Sequence, residues 1–120
     1  SLPHPFDRMG RSPLASNYIR DLLPYIDIIE GFNARTILQK DNNHARDFAV
    51  EENLLVTSVS DAHTLGELGR SYTEIPDFDG SPQGFLQALA ESDLVKRPSS
   101  PLVHLYSTLN KFRSRKRFEV

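Results

Sequence analysis

Asp61 and His63 are the residues of this chain best suited to chemistry. They follow Leu54-Leu55-Val56-Thr57-Ser58-Val59, an apolar and β-branched run that stops abruptly. A carboxylate and an imidazole both bind hard or borderline divalent cations. Alternate side chains of an extended segment share a face, so the spacing predicts that Asp61 and His63 aim at one point. Buried strands that end in polar groups are how α/β barrels present chemistry, at the C-terminal rim. The competing reading makes Asp61 an N-cap for a helical turn over residues 64–68 and leaves His63 simply polar.

Two other stretches carry polar groups where a strand would end. His4 sits between Pro3 and Pro5, and Glu30 with Asn33 closes the run 25–32. A His, Asp and His set made of His4, Asp61 and His63 suits Zn²⁺, Mn²⁺ or Fe²⁺ better than Ca²⁺. A metal-bound imidazole needs its second ring nitrogen held, and Glu30 or Asn33 can supply that partner. Such a metal polarises a phosphoryl oxygen and lowers the pKa of a bound water. Arg8 and Arg35 are the candidates to grip a phosphate through bidentate hydrogen bonds. Each residue also has a plain reading: His4 as a solvent-facing loop residue, Glu30 as a strand end in water, and the two arginines as surface charges. His44 is expected on a solvated helix face, and His104 opposite the apolar stripe of the last helix, exposed.

The elements that must position these groups follow from periodicity and breakers. Ser16 caps a helix with Tyr18, Ile19, Leu22 and Leu23 at helical spacing, and Pro24 ends it. Residues 25–32 read as a buried strand. Asp41 or Asn42 caps the next helix, with Ala45, Phe48 and Ala49 as its apolar stripe and Asn53 as its stop. The strand 54–59 follows, then a helical turn closed by Gly69 and a short strand within 70–75. Ser81-Pro82 opens a helix that buries Phe85, Leu86 and Leu89. Residues 93–100 read as a linker with an extended piece at Leu94-Val95. Ser100-Pro101 opens a last helix with Leu102, Leu105, Tyr106, Leu109 and Phe112 as an amphipathic stripe. Strands alternating with helices predict an α/β class and a parallel sheet, and the continuous apolar runs fit strands covered on both faces.

Composition narrows the class. The chain has 120 residues, a net charge of −2 and an ordinary balance of 38% apolar to 25% charged residues, which suits one domain or part of a larger one. Cysteine is absent, which excludes a disulfide framework and a thiolate zinc site. No apolar run approaches the ~20 residues that span a membrane, so no membrane partner is expected, and a cytoplasmic address is. The tail 111–117 carries five basic residues in seven. It reads as a helix end whose charges complement the helix dipole, or as a nucleic-acid contact.

Three motifs carry a resemblance: HPFDR at 4–8, IEGFNAR at 29–35, and SDAH at 60–63 followed by LGELG at 65–69. In order and spacing they resemble the PHP family (polymerase and histidinol phosphatase), most closely its stand-alone metal-dependent phosphoesterase branch. The resemblance covers roughly residues 3–91. It implies a distorted seven-unit β/α barrel with a cluster of divalent metals at its C-terminal rim, here represented by its C-terminal portion. The division implied is residues 1–92 as barrel and 93–120 as linker, amphipathic helix and basic tail. By motif, His4, Asp61 and His63 correspond to metal ligands, while Glu30 and Asn33 correspond to positions lining the site. The family's opening His-x-His motif is not found, nor are the ligands between it and the His-Pro. The expectation is therefore a metal-dependent phosphoester hydrolase whose site this chain fills only in part, acting on a small phosphorylated substrate or short nucleotide. The chain is expected to pair with the missing N-terminal half of the barrel or with itself. The alternative is a binding or regulatory module that keeps the frame without the chemistry and contacts nucleic acid through its tail.

Overall fold

The computed structural model describes the backbone of residues 1–9 and 16–115, and side chains at 1–9 and 18–109. The order is α1 (Ser16–Leu22), a 3₁₀ turn (Leu23–Tyr25), β1 (Ile28–Asn33), α2 (Gln39–Glu51), β2 (Leu55–Val59), a 3₁₀ turn (Leu65–Glu67), β3 (Tyr72–Glu74), α3 (Pro82–Ala90), β4 (Asp93–Val95) and α4 (Leu102–Arg115). This is a mixed α/β arrangement, as periodicity predicts. Among the described residues the strands form two separate two-stranded sheets, β1 parallel to β2 and β3 antiparallel to β4. The antiparallel pair is a departure from the all-parallel expectation. It arises because the extended piece at Leu94-Val95 folds back onto β3 after α3.

Leu2 extends the parallel sheet. It bridges to Ile29, its N–H donating to the Ile28 carbonyl at 2.8 Å and its carbonyl accepting from Glu30 N at 3.0 Å. His4 therefore follows a paired, strand-like residue, as Asn33 closes β1 and Asp61 follows β2. Three parallel segments end on the same side, which brings the polar residues of all three motifs to one rim.

The core lies on one face of this sheet. Ile29 is fully buried with Leu2, Ile19 from α1 and Ala49 from α2, and Phe6, Ile26, Phe48, Leu54 and Val56 pack around them. Small residues at Ala45 and Ala49 let α2 lie close on β1. Tyr18 and Leu22, expected in the stripe of α1, face outward, and Ile19 alone of that stripe is fully buried. Side chains alternate along a strand, so Ile28, Leu55 and Thr57 turn to the opposite face, where they are only half-buried.

Local signals set several ends. Ser81 accepts from Gly84 N at 2.9 Å and caps α3 with Pro82 behind it. Asn53 adopts φ +54° just past α2, the left-handed conformation that Asn tolerates at a helix end, and Gly69 closes its turn at φ +68°. Leu38 precedes α2 with no side-chain cap. Asp41 and Asn42, the expected caps, lie inside the helix and are buried, because both are held by other partners.

The stretch 93–100 is stitched down. The Ser58 hydroxyl donates to the Val95 carbonyl at 2.7 Å, Arg97 N donates to Ser71 Oγ at 2.7 Å, and Ser99 N donates to the Ala34 carbonyl at 2.7 Å. These bonds deliver the chain to α4. There the expected orientation is reversed. Leu102, Leu105, Tyr106 and Leu109 are 71%, 60%, 58% and 57% exposed, while Ser107 is buried. His104, expected in solvent, is half-buried, with its Nε2 2.8 Å from the Arg35 carbonyl. The helix docks through groups that can satisfy a buried arginine, and leaves its apolar stripe outside. Phe112 and the basic tail 111–117 have side chains outside the described residues.

Candidate functional site at the strand ends

The site starts with an irregularity in β1. Its register with β2 shifts between Glu30 and Phe32, so that Glu30 faces Thr57 and Phe32 already faces Ser58. Residues three apart on a regular strand point to opposite faces. The bulge returns them to one side, and Asn33 Nδ2 reaches Glu30 Oε2 at 3.2 Å. Re-aiming a side chain at a strand end is a recurring use of a bulge. Gly31 permits it: a Cβ there would collide with Val56 Cγ1 and come within 2.8 Å of Arg46 Cγ.

Asn33 is the hub. The same Nδ2 donates to Asp61 Oδ2 at 3.3 Å, and Asn33 Oδ1 accepts from Arg35 N at 2.9 Å. Its side chain thus joins the end of β1 to the loop after β2. Its backbone is gripped in turn by Asn42, whose Oδ1 accepts from Asn33 N at 3.0 Å and whose Nδ2 donates to the Asn33 carbonyl at 3.3 Å. An amide placed so serves as a strand neighbour would, and keeps buried backbone groups paired. Nothing in the sequence distinguishes Asn42 from a helix cap; only the closeness of α2 to β1 reveals this use.

His4 joins through its backbone. Its N–H donates to Glu30 Oε2 at 3.0 Å. The Glu30 carboxylate therefore holds the His4 main chain, not an imidazole nitrogen as expected. His4 and Asp61 share another property: both have positive φ, +23° and +48°, uncommon for residues with a Cβ. Such backbone persists where surrounding contacts impose it, and it concentrates at functional sites.

Asp61 and His63 do meet, by a different geometry from the extended alternation expected. The left-handed Asp61 turns the chain, and His63 Nδ1 lies 2.8 Å from the Asp61 carbonyl oxygen and 3.8 Å from Asp61 Oδ1. Both side chains are about one-third exposed, at 32% and 29%.

The arginines lie on either side. Arg8 pairs with Asp41: its Nε and Nη2 donate to Oδ1 at 2.9 and 2.6 Å, and its N–H donates to Oδ2 at 3.2 Å. Asp41 is 2% exposed while Arg8 remains 55% exposed. Burial alone would raise the Asp41 carboxyl, but the Arg8 hydrogen bonds and charge outweigh it and hold its pKa below the ordinary value of 3.8. Arg35 is placed elsewhere than at the surface. Its guanidinium is 3% exposed and pairs with Glu67, also 3% exposed, at 2.5 Å, and its Nη2 donates to Ser107 Oγ at 3.0 Å. Glu67 also accepts from Thr64 Oγ1 and His63 N. Burial would raise its pKa, but these bonds and the arginine charge lower it from 4.5. Glu67 lies within the LGELG motif, yet its role at the site is visible only in three dimensions. His44 is exposed as expected, with its ring stacked on Phe6 at 3.9 Å.

A protein-held divalent metal needs about three donors around one point, with an open position for chemistry. Among the described residues no three His, Cys, Asp or Glu side chains stand close enough for that. Asp61 and His63 supply a pair, while His4 engages its backbone. The described residues alone do not fit a complete metal centre.

Residues 39–94 match the family model described as PHP-associated. That segment contains Asp61, His63, Asp41 and Glu67, and it is a match of the kind expected for the C-terminal part of a PHP-family protein. The chain is also similar to the uncharacterized protein MJ0417 of Methanocaldococcus jannaschii, at 34% identity over 116 residues, covering 81% of this chain and 48% of that protein. The chain thus spans about half the length of this curated relative. No solved structure matches the chain significantly. Among the described residues no helix is long and apolar enough to cross a membrane.

Proposed function

We propose that this chain, whose residues 39–94 are a PHP-associated segment, forms the C-terminal part of a barrel-type, metal-dependent phosphoesterase. The observation that carries this reading is the linked cluster His4–Glu30–Asn33–Asp61, with His63 beside it, at the common end of three parallel segments. A rim of that kind is where a β/α barrel assembles its site. The half-buried face at Ile28, Leu55 and Thr57 is where the rest of such a barrel would lie, supplied by the N-terminal half or by a second copy.

In this reading Asp61 and His63 offer an oxygen and a nitrogen donor, and the His4 loop lies beside them without completing a set of three. The remaining donors of a Zn²⁺, Mn²⁺ or Fe²⁺ site come from outside these residues. Glu30 and Asn33 hold the loops that carry the donors. Arg8, half exposed beside the His4 loop, is the cation best placed to meet a phosphate. Arg35, committed to Glu67 and Ser107, is assigned no contact with substrate. Nucleotides, short oligonucleotides and small phosphorylated metabolites are the candidate substrates.

The test is to measure bound metal and phosphatase activity of the full-length protein that carries this chain, wild type against Asp61→Ala. Loss of both in the variant is expected. Equal activity in the two proteins would overturn the reading. A second reading is a binding module that keeps the frame without chemistry; among the described residues no three such donors stand together. It expects full-length protein with no bound metal and no hydrolysis.

A further inference from the structure

We propose that Glu67, Arg35 and Ser107 are positioning residues, a relay through which α4 sets the loop that carries His63. This rests on the reading that His63 belongs to the site, and it adds residues that lie away from the strand ends.

Glu67 holds the His63 loop at two points. Its Oε2 accepts from His63 N at 3.2 Å and from Thr64 Oγ1 at 2.9 Å. Its Oε1 accepts from Arg35 Nη1 at 2.5 Å. Both partners of this ion pair are buried, and an uncompensated buried charge is strongly unfavourable. The carboxylate therefore cannot swing away from the loop on its own; its place is fixed by the arginine.

The arginine is fixed in turn by α4. Ser107 Oγ accepts from Arg35 Nη2 at 3.0 Å, and its own proton goes to the His104 carbonyl at 3.1 Å. His104 Nε2 meets the Arg35 carbonyl at 2.8 Å. The helix thus grips both the side chain and the main chain of Arg35. Residues 104 and 107, one helical turn apart, turn inward with the half-buried Val103 beside them, although the sequence offers an apolar stripe at 102, 105, 106 and 109. A helix packed only for burial would have used that stripe. The inward choice completes a continuous path from α4 through Arg35 and Glu67 to the backbone of His63.

The full-length protein, labelled at histidine and leucine, provides the test by NMR without metal or substrate. Ser107→Ala and His104→Ala are compared with Leu105→Ala, which alters the outward face of the same helix. The expected result is that the first two shift the His63 ring signals and speed exchange of its amide by about tenfold. The Leu55 amide, bonded to the Asp27 carbonyl at 2.9 Å, keeps its protection, and Leu105→Ala changes neither amide. Arg35→Lys keeps a charge opposite Glu67 but cannot fork to Ser107, so Ser107→Ala has no further effect on His63 in that background. His63 signals unchanged in both Ser107→Ala and His104→Ala would overturn the relay. So would equal acceleration of the His63 and Leu55 amides, which marks a general staple. Should Arg35→Lys fail to fold, the two α4 variants still decide. A full-length protein without phosphatase activity would remove the earlier reading and leave this coupling to stand or fall on His63 alone.

Discussion

Asn33 Nδ2 lies 3.3 Å from Asp61 Oδ2 and so ties the end of β1 to the loop after β2. The same amide also reaches Glu30. One neutral side chain thereby separates two carboxylates and donates to both. Asn33→Ala removes both of these bonds and the one that Oδ1 accepts from Arg35 N, and is expected to cost about 1–3 kcal/mol, the penalty for leaving buried polar groups unpaired. Asn33→Asp is nearly isosteric and is expected to cost more at neutral pH, because it sets a third negative charge between two others. Denaturant unfolding of the two variants side by side checks the order.

The Arg8–Asp41 pair predicts how stability depends on pH. The folded Asp41 carboxyl sits below its ordinary value of 3.8. A depressed carboxyl contributes stability that is fully present above its unfolded pKa and is lost as pH falls through the folded one. Wild type and Arg8→Ala are therefore expected to differ most from neutral pH down to about pH 5. The difference should shrink as pH drops below 3.8 toward the lower folded value. Unfolding curves of the two proteins across that range test it; a gap that widens on acidification would contradict the pairing.

The two faces of α4 should respond in opposite ways. Leu105 is 60% exposed and Ser107 is buried against Arg35. Leu105→Ser is expected to change stability by no more than about 0.5 kcal/mol, as for a surface position. Ser107→Leu places an apolar side chain against a buried guanidinium and is expected to cost about 1–3 kcal/mol. Reversed effects would mean that the stripe, not the hydroxyl, is packed.

Gly31 sits inside the bulge of β1, where a methyl group would meet Val56 and Arg46. Gly31→Ala is expected to cost about 1–3 kcal/mol from overpacking. It should also disturb the Asn33 side-chain amide signals, because the bulge is what turns Asn33 toward Glu30. A variant as stable as wild type, with those signals unmoved, would separate the bulge from the site.

Ser81 and Pro82 begin α3, Asn53 and Gly69 close their turns, and the runs around Ile29 and Val56 form parallel strands. Each of these was legible because it depends on neighbours a few residues away: a cap, a left-handed φ, or the periodicity of burial. The motif order likewise marked His4, Glu30, Asn33, Asp61 and His63 as belonging together. What joins them was not legible. The β1 bulge, the Glu30 bond to the His4 backbone, the turn at Asp61 and the burial of Arg35 with Glu67 depend on side chains 26, 28 and 32 residues apart.

The orientation of α4 makes the division clearest. Its periodicity determined that it is an amphipathic helix. Which face turns inward was decided by Arg35, 72 residues from Ser107, because a buried guanidinium demands polar partners whereas an apolar stripe tolerates partial exposure. The sequence by itself determined which residues stand at strand ends. The tertiary structure decided which of them meet, since hydrogen bonds and ion pairs form between whatever groups the packed backbone brings within reach, at any distance along the chain.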